Sequence, residues 1–193
     1  MSASAALAGA FTLHLLGGFA VSDVVPALPP APLLTGEVQV GYGLSDAFEL
    51  RARYATHVGL HHRLGLDLRA AFGTGAWTVG ARLEPSVRVG GTPEDVAGDV
   101  STQAALLLGW RDGPTAVTAE AGVTVQWLLW DPAGVDDEPY FAFIDAAAQV
   151  EHALPSGTVL LGRLELAVPR APDDPFAVLG VHPRVLVGAA WRL

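Results

Sequence analysis

The stretch HHRLGLDLRAAFGTGAWTVGARLEPSVRV, residues 61–89, reads as two strands around a tight turn. With Leu60 included, the first arm sets Leu60, His62, Leu64, Leu66, Leu68, Ala70 and Phe72 on one face. His61, Arg63, Gly65, Asp67, Arg69 and Ala71 take the other. After GTGA (73–76), the second arm sets Trp77, Val79, Ala81, Leu83, Pro85, Val87 and Val89 against Thr78, Gly80, Arg82, Glu84, Ser86 and Arg88. A side-chain period of two with unlike faces is the pattern of a β-strand between two different media. Each arm has the roughly ten residues that a tilted strand needs to cross a bilayer.

The same alternation runs through the chain. Ten strands are predicted, at 4–17, 35–43, 48–56, 60–72, 76–89, 100–110, 115–130, 139–154, 158–168 and 182–192. The connectors LSDA (44–47), GTGA (73–76), RDGP (111–114) and PSG (155–157) are tight and made of turn formers. Most of the others are longer: 18–34, 90–99, 131–138 and 169–181, with THVG (56–59) the short exception. Short turns at one end and long loops at the other describe a closed antiparallel up-and-down transmembrane β-barrel, all-β, with residues 1–193 as one domain. Eight or twelve strands stay open as counts, because 48–72 keeps one phase across a weakly marked turn.

Composition agrees. Half of the 193 residues are apolar (51%) and mean hydropathy is +0.38, yet no run of about 18 apolar residues exists to make a spanning helix. Fourteen Pro and 22 Gly fit many turns, and the absence of Cys excludes disulfides and thiolate metal sites. All 11 basic residues are Arg, without one Lys to decorate a water-facing surface. A net charge of −9 argues against a nucleic-acid partner. Residues 5–21 (AALAGAFTLHLLGGFAV) lack the positive segment of a signal peptide and alternate like a strand. They are expected to begin a mature chain whose export signal has been replaced by Met1.

The hairpin GYGLSDAFELRARY (41–54) and the terminal VLVGAAWRL (185–193) make the chain resemble small bacterial outer-membrane β-barrel proteins. The final segment resembles the last strand read by the barrel-assembly machinery, although Trp191 stands third from the end and Leu193 closes the chain. The resemblance implies an outer-membrane location with the lipid bilayer as surroundings and that machinery as a partner in biogenesis. An even strand count puts the termini in the periplasm and the long loops outside.

Charge decides which face meets lipid. Arg51, Arg53, Arg63, Arg69, Arg82, Arg88, Arg163, Arg184 and Arg192 all fall in the polar phase. So do Glu37, Glu49, Asp67, Glu84, Glu120, Asp145, Glu151 and Glu165. One Arg at mid-bilayer costs ~2–4 kcal/mol, so nine on the lipid face would cost roughly 18–36 kcal/mol against the ~5–15 kcal/mol that holds a domain together. The polar phase must face the lumen, where Arg and Glu/Asp can pair across strands and fill a narrow interior. Tyr42, Phe48, Phe72, Trp77, Trp110 and Trp191 lie in the apolar phase by the short turns, and Tyr54, Trp127 and Tyr140 by the long loops. Two such belts mark two headgroup layers. Pro85, in mid-strand, is expected at a bulge or a misplaced strand end.

No nucleotide loop, zinc spacing or nucleophile elbow appears, and no cofactor or metal is expected. Closing strand 1 on strand 10 is expected to gather His14, His182, Arg184 and Glu37 inside the external mouth, with His61 and Asp67 also facing the lumen. Barrel enzymes such as omptin proteases and lipid A deacylases use His near that rim, although no residue-by-residue match carries their roles here. The plainer reading is lumen His satisfied by neighbouring carboxylates. The acidic loops around Glu94, Asp95 and Asp99, Asp136, Asp137 and Glu138, and Asp173 and Asp174 lack EF-hand spacing and read as solvated charge. The chain is thus expected to be a non-enzymatic barrel, structural or a minor solute or ligand conduit. A barrel enzyme on envelope lipid or peptide, and a soluble lipocalin-like barrel with its apolar phase inward, are the alternatives.

Overall fold

The computed structural model describes residues 8–22, 31–57, 61–92, 95–132, 134–136, 139–169 and 181–193. The strands are β1 (Phe11–Ser22), β2 (Ala31–Gly43), β3 (Phe48–His57), β4 (His61–Thr74), β5 (Trp77–Thr92) and β6 (Asp95–Asp112). They continue with β7 (Thr115–Asp131), the short β8 (Gly134–Asp136), β9 (Tyr140–Ala153), β10 (Val159–Pro169) and β11 (His182–Arg192). Each barrel strand runs antiparallel to both neighbours, in sequence order from β1 to β7 and on through β9, β10 and β11. Pairing of β1 with β11 closes the cylinder, from Thr12↔Arg192 to Ala20↔Arg184. The ten barrel strands form one closed sheet; β8 is a flap on the end of β7.

The two faces sort as the alternation requires. Leu66, Leu83 and Leu164 stand exposed on the outer wall, while Arg53, Arg82 and Arg163 are buried inside. That arrangement is inside-out for a water-soluble barrel, and it removes the lipocalin-like alternative. The inside is not purely polar. Leu16, Ala116, Val159, Leu161, Leu186 and Ala190 form a small apolar cluster against one wall of the lumen.

Several expected boundaries move. The first strand spans 11–22 rather than 4–17, and β2 begins at Ala31 rather than 35. Most of the expected connector 18–34 is therefore strand: Phe19 pairs Leu34 and Ser22 pairs Ala31. The small residues before Phe11 alternate as well as those after it, so only pairing with β2 and β11 sets the position. Residues 4–7 and 23–30 lie outside those described. The connector expected at 90–99 shrinks to 93–94, because β5 and β6 stay paired out to Thr92↔Asp95. Long loops therefore do not mark every connection at that end.

Pro85 causes no bulge. The β4–β5 ladder is paired at Gly65↔Ser86 and again at Leu68↔Leu83, with the register unchanged and the two positions between them dropped. Pro85 has no N–H to give, and the sheet tolerates the gap while Pro85 keeps its pairing to Thr102 on β6. Real bulges occur further round the sheet, where Trp127 is extra in β7 against β6 and Ala142 is extra in β9 against β7. The tight turns use Gly75 and Gly113 at positive φ (64° and 54°), which an L-residue adopts at a cost of about 1–2 kcal/mol.

Two substitutions test this arrangement by urea unfolding in lipid vesicles. Leu106, 72% exposed midway along β6, becomes costly as Leu106→Arg, by ~2–4 kcal/mol if it faces hydrocarbon. Leu186, fully enclosed in the lumen cluster (0% exposed), costs ~2–5 kcal/mol as Leu186→Ala through the cavity left behind.

Candidate functional site

The centre of the lumen is an ionic lattice. Because strand side chains alternate, β3, β5, β7 and β10 each send Arg or Glu inward at similar depth, and the barrel is narrow enough for them to meet. Arg53 on β3 bonds Glu84 on β5 (3.1 Å) and Glu165 on β10 (3.2 Å). Glu165 bonds Arg163 (2.6 Å), and Arg163 bonds Glu120 on β7 (3.0 Å). Glu120 bonds Arg82 on β5 (3.0 Å), which returns to Glu84 (3.5 Å). Three arginines and three glutamates so form a closed ring of alternating charge across the lumen. A smaller loop is fused to it. Arg53 also bonds Glu37 (2.7 Å), Glu37 bonds Arg184 (2.8 Å), and Arg184 bonds Glu165 (3.0 Å).

Further members hang from the lattice. Arg63 reaches Glu84 (3.0 Å), and Arg69 holds Asp67 (2.7 Å) and leans toward Glu120 (4.0 Å). Arg51 holds Glu49 (2.8 Å) and donates to Gln39, whose amide donates to Glu37. Gly65 makes room: a Cβ there would run into the Glu84 carboxylate. Most of these charges are buried, with Arg63 and Glu165 partly open, so each depends on its partners for the solvation it lost.

Of the predicted lumen charges, Glu37, Glu49, Arg51, Arg53, Arg63, Asp67, Arg69, Arg82, Glu84, Glu120, Arg163, Glu165 and Arg184 belong to this connected set. Arg88 stands apart, paired with Asp99 (2.8 Å) and lying over the Phe143 ring at 5.2 Å. Asp145 accepts from the Thr124 hydroxyl (2.6 Å), and Glu151 accepts from Gln149 (2.6 Å). Arg192 lies exposed at the chain's end.

The expected mouth site does not assemble. His14 is buried near the short-turn end of β1, opposite Gln39 and Ala190. Glu37 lies deep in the lattice, and His182 begins β11 at the other end of the barrel. The error follows from the misplaced first strand, which put His14 at the wrong end.

A different group occupies the long-loop end. His57, His61, His182, Arg63, Arg88 and Arg184 surround a cavity of about 420 Å³ whose floor includes Arg53, Glu120, Arg163 and Glu165. His57 and His61 are register partners at the ends of β3 and β4. His57 is hidden in the sequence because the turn THVG obscures its phase. With Ala55 and Arg53 inward below it, the two-residue period alone would have found it. A second hollow of about 220 Å³, lined in part by Thr78, Gly109, Ala116 and Thr118, opens at the short-turn end. Among the described residues no cluster of His, Asp and Glu is arranged to hold a metal ion. Glu94, Asp137, Glu138, Asp173 and Asp174 lie outside the described residues, as do the side chains of Asp95 and Asp136.

On the outer wall by the short turns, Phe11 packs on Tyr42 (centroids 4.8 Å) and Phe48 edge-on against Phe72 (6.0 Å), while Trp77 pairs Trp110 across strands. Trp191 is half-buried. By the other end, Tyr54 stacks on His62 and shares a hydrogen bond with its Nδ1 (2.8 Å). Trp127 donates to the Thr102 hydroxyl (2.9 Å). Tyr140 begins β9, and its side chain is outside the described set.

No protein-family model matches the chain, and no curated protein matches its sequence. Solved structures do resemble it. The COG4313 outer membrane channel from Pseudomonas putida F1 superposes with a TM-score of 0.54 at 12% identity, covering 98% of this chain and 97% of that one. The translocator domain of autotransporter NalP from Neisseria meningitidis gives 0.48 at 10% identity, covering 94% of this chain and 87% of that one. Ail, the attachment invasion locus protein of Yersinia pestis, gives 0.33 at 10% identity, with 97% and 100% covered. At such identities the likeness is one of architecture: this chain has the fold of an outer-membrane β-barrel.

Proposed function

We propose that the protein is a non-enzymatic outer-membrane barrel, a narrow conduit held closed at mid-lumen by its own ionic lattice. The observation that carries this reading is the Arg53–Glu165 contact. It joins strands on opposite walls and completes the alternating ring through Glu84, Arg82, Glu120 and Arg163. A hydrated solute passing this level would have to break several buried, charge-assisted hydrogen bonds, which are the strong ones. The likeness to a channel from Pseudomonas putida F1 fits a conduit. The enzyme alternative loses the constellation it rested on, since His14 and His182 lie at opposite ends.

In this proposal the short turns and both termini face the periplasm, and the ends of the tall strands β5–β7 stand outside the cell. Tyr42, Phe48, Phe72, Trp77, Trp110 and Trp191 form one interfacial belt, and Tyr54, Trp127 and Tyr140 the other, because amphipathic rings settle at headgroup depth. The barrel-assembly machinery inserts the chain, reading its last strand.

Planar-bilayer recording tests the closed lattice. The wild-type barrel passes little or no steady current, whereas Arg53→Ala with Glu165→Ala, which removes the cross-lumen link and leaves net charge unchanged, passes clearly more. A large steady wild-type current refutes the reading. Glu84→Gln alone leaves three arginines short of a counter-charge and is expected to lower unfolding stability by ~3–5 kcal/mol, measured in lipid vesicles.

A further inference from the structure

The cavity at the long-loop end carries more positive charge on one wall than its carboxylates balance. Glu84 is shared by Arg53, Arg63 and Arg82. Arg63 has Glu84 as its single ion-pair partner among the described residues, and its Nε has no hydrogen-bond partner there. Three more guanidiniums act on Arg63, those of Arg53, Arg88 and Arg82, against one further carboxylate, Asp145, which lines the same cavity. Its side chain keeps 25% of its surface open, toward the cavity it lines. His57 and His61 stand on the rim above it, and either imidazole can donate a hydrogen bond. The opposite side is different in kind. Phe143, Ala147, Ala167 and Pro183 supply apolar surface there, interrupted by Asp145, which accepts from the Thr124 hydroxyl, and edged by the Arg88 guanidinium over the Phe143 ring.

We propose that this cavity binds a small organic anion, its carboxylate on Arg63 beside His57 and His61 and its apolar body against the wall around Phe143. A planar guanidinium is the fork that a carboxylate fits, and Arg63 presents the open part of its side chain to this cavity. An incoming carboxylate would supply the negative charge that Glu84 divides among three arginines. At about 420 Å³ the space is of the size that small-molecule sites occupy, apolar with a few converging polar groups. The proposal rests on the conduit reading to the extent that the cavity is the vestibule above the closed lattice.

The test is calorimetric titration of the full-length barrel in detergent micelles, with benzoate, its neutral isostere benzamide, and acetate. Benzoate is expected to bind saturably at one site, benzamide far more weakly for lack of charge, and acetate weakly for lack of an apolar body. Arg63→Gln is expected to weaken benzoate binding roughly tenfold to a hundredfold, the factor matching one lost charge-assisted hydrogen bond. Benzamide binding as tightly as benzoate, or no saturable benzoate binding, overturns the proposal on wild-type protein alone. Unchanged benzoate affinity in a folded Arg63→Gln barrel also overturns it. The bilayer recordings separate the two readings: a freely conducting wild-type barrel refutes the closed conduit and leaves the benzoate result to stand or fall by itself.

Discussion

The structure depends on one constraint: a charged group inside a thin β-cylinder can be solvated only by other charged groups in the same cylinder. The outer wall of leucines, valines and aromatics offers the lumen charges no partner, and the lumen is too narrow to hydrate a dozen ionised side chains individually. Arg and Glu must therefore neutralise one another across the axis. Each Arg of the ring contacts at least two carboxylates and each Glu at least two arginines. Such pairs are weak arguments for net stability against an apolar replacement, but losing one member strands its partners in a low-dielectric space. That asymmetry makes the lattice a device for uniqueness of packing more than for strength.

The constraint also explains the use of arginine alone. A guanidinium can face two or three carboxylates at once through separate N–H groups, as Arg53 does with Glu37, Glu84 and Glu165. A lysine is a single point charge with a mobile stem and suits such a junction poorly. Glycine serves the same end from below: Gly65 leaves the wall open where Glu84 lies. Where the lattice thins, Leu16, Leu161 and Leu186 fill the space with carbon instead.

What the sequence made legible was phase, and what it concealed was height. A period of two places Arg63, Arg82 and Arg163 on the inner wall without any knowledge of tertiary structure, and the exposed Leu66, Leu83 and Leu164 follow. The vertical position of a strand is set by its neighbours' register, which a single chain does not print. The alternation from Ala5 through Val21 is equally good at many offsets, so sequence alone starts β1 too early and puts His14 at the wrong end. Pro85 looked like a break because its missing donor is visible in sequence, whereas the integrity of its pairing with β6 is not. The bulges at Trp127 and Ala142 left no comparable mark. The lattice was legible as composition, but its connectivity was not. Which Arg meets which Glu across the lumen depends on curvature and stagger, which emerge only on closure.

The pairing of β1 with β11 gives the barrel an all-or-none character. Arg53 and Glu165 are 112 residues apart in sequence, and Arg184 meets Glu37 only across the seam between the first and last strands. Until that seam zips, the half-curled sheet can pair charges only within a strand or between strands on one side of the seam, as Arg63 does with Glu84. The pairs that span the seam, Arg53–Glu165 and Arg184–Glu37, therefore form only with cylinder closure, and an unzipped intermediate that lacks them has reason to stay out of hydrocarbon.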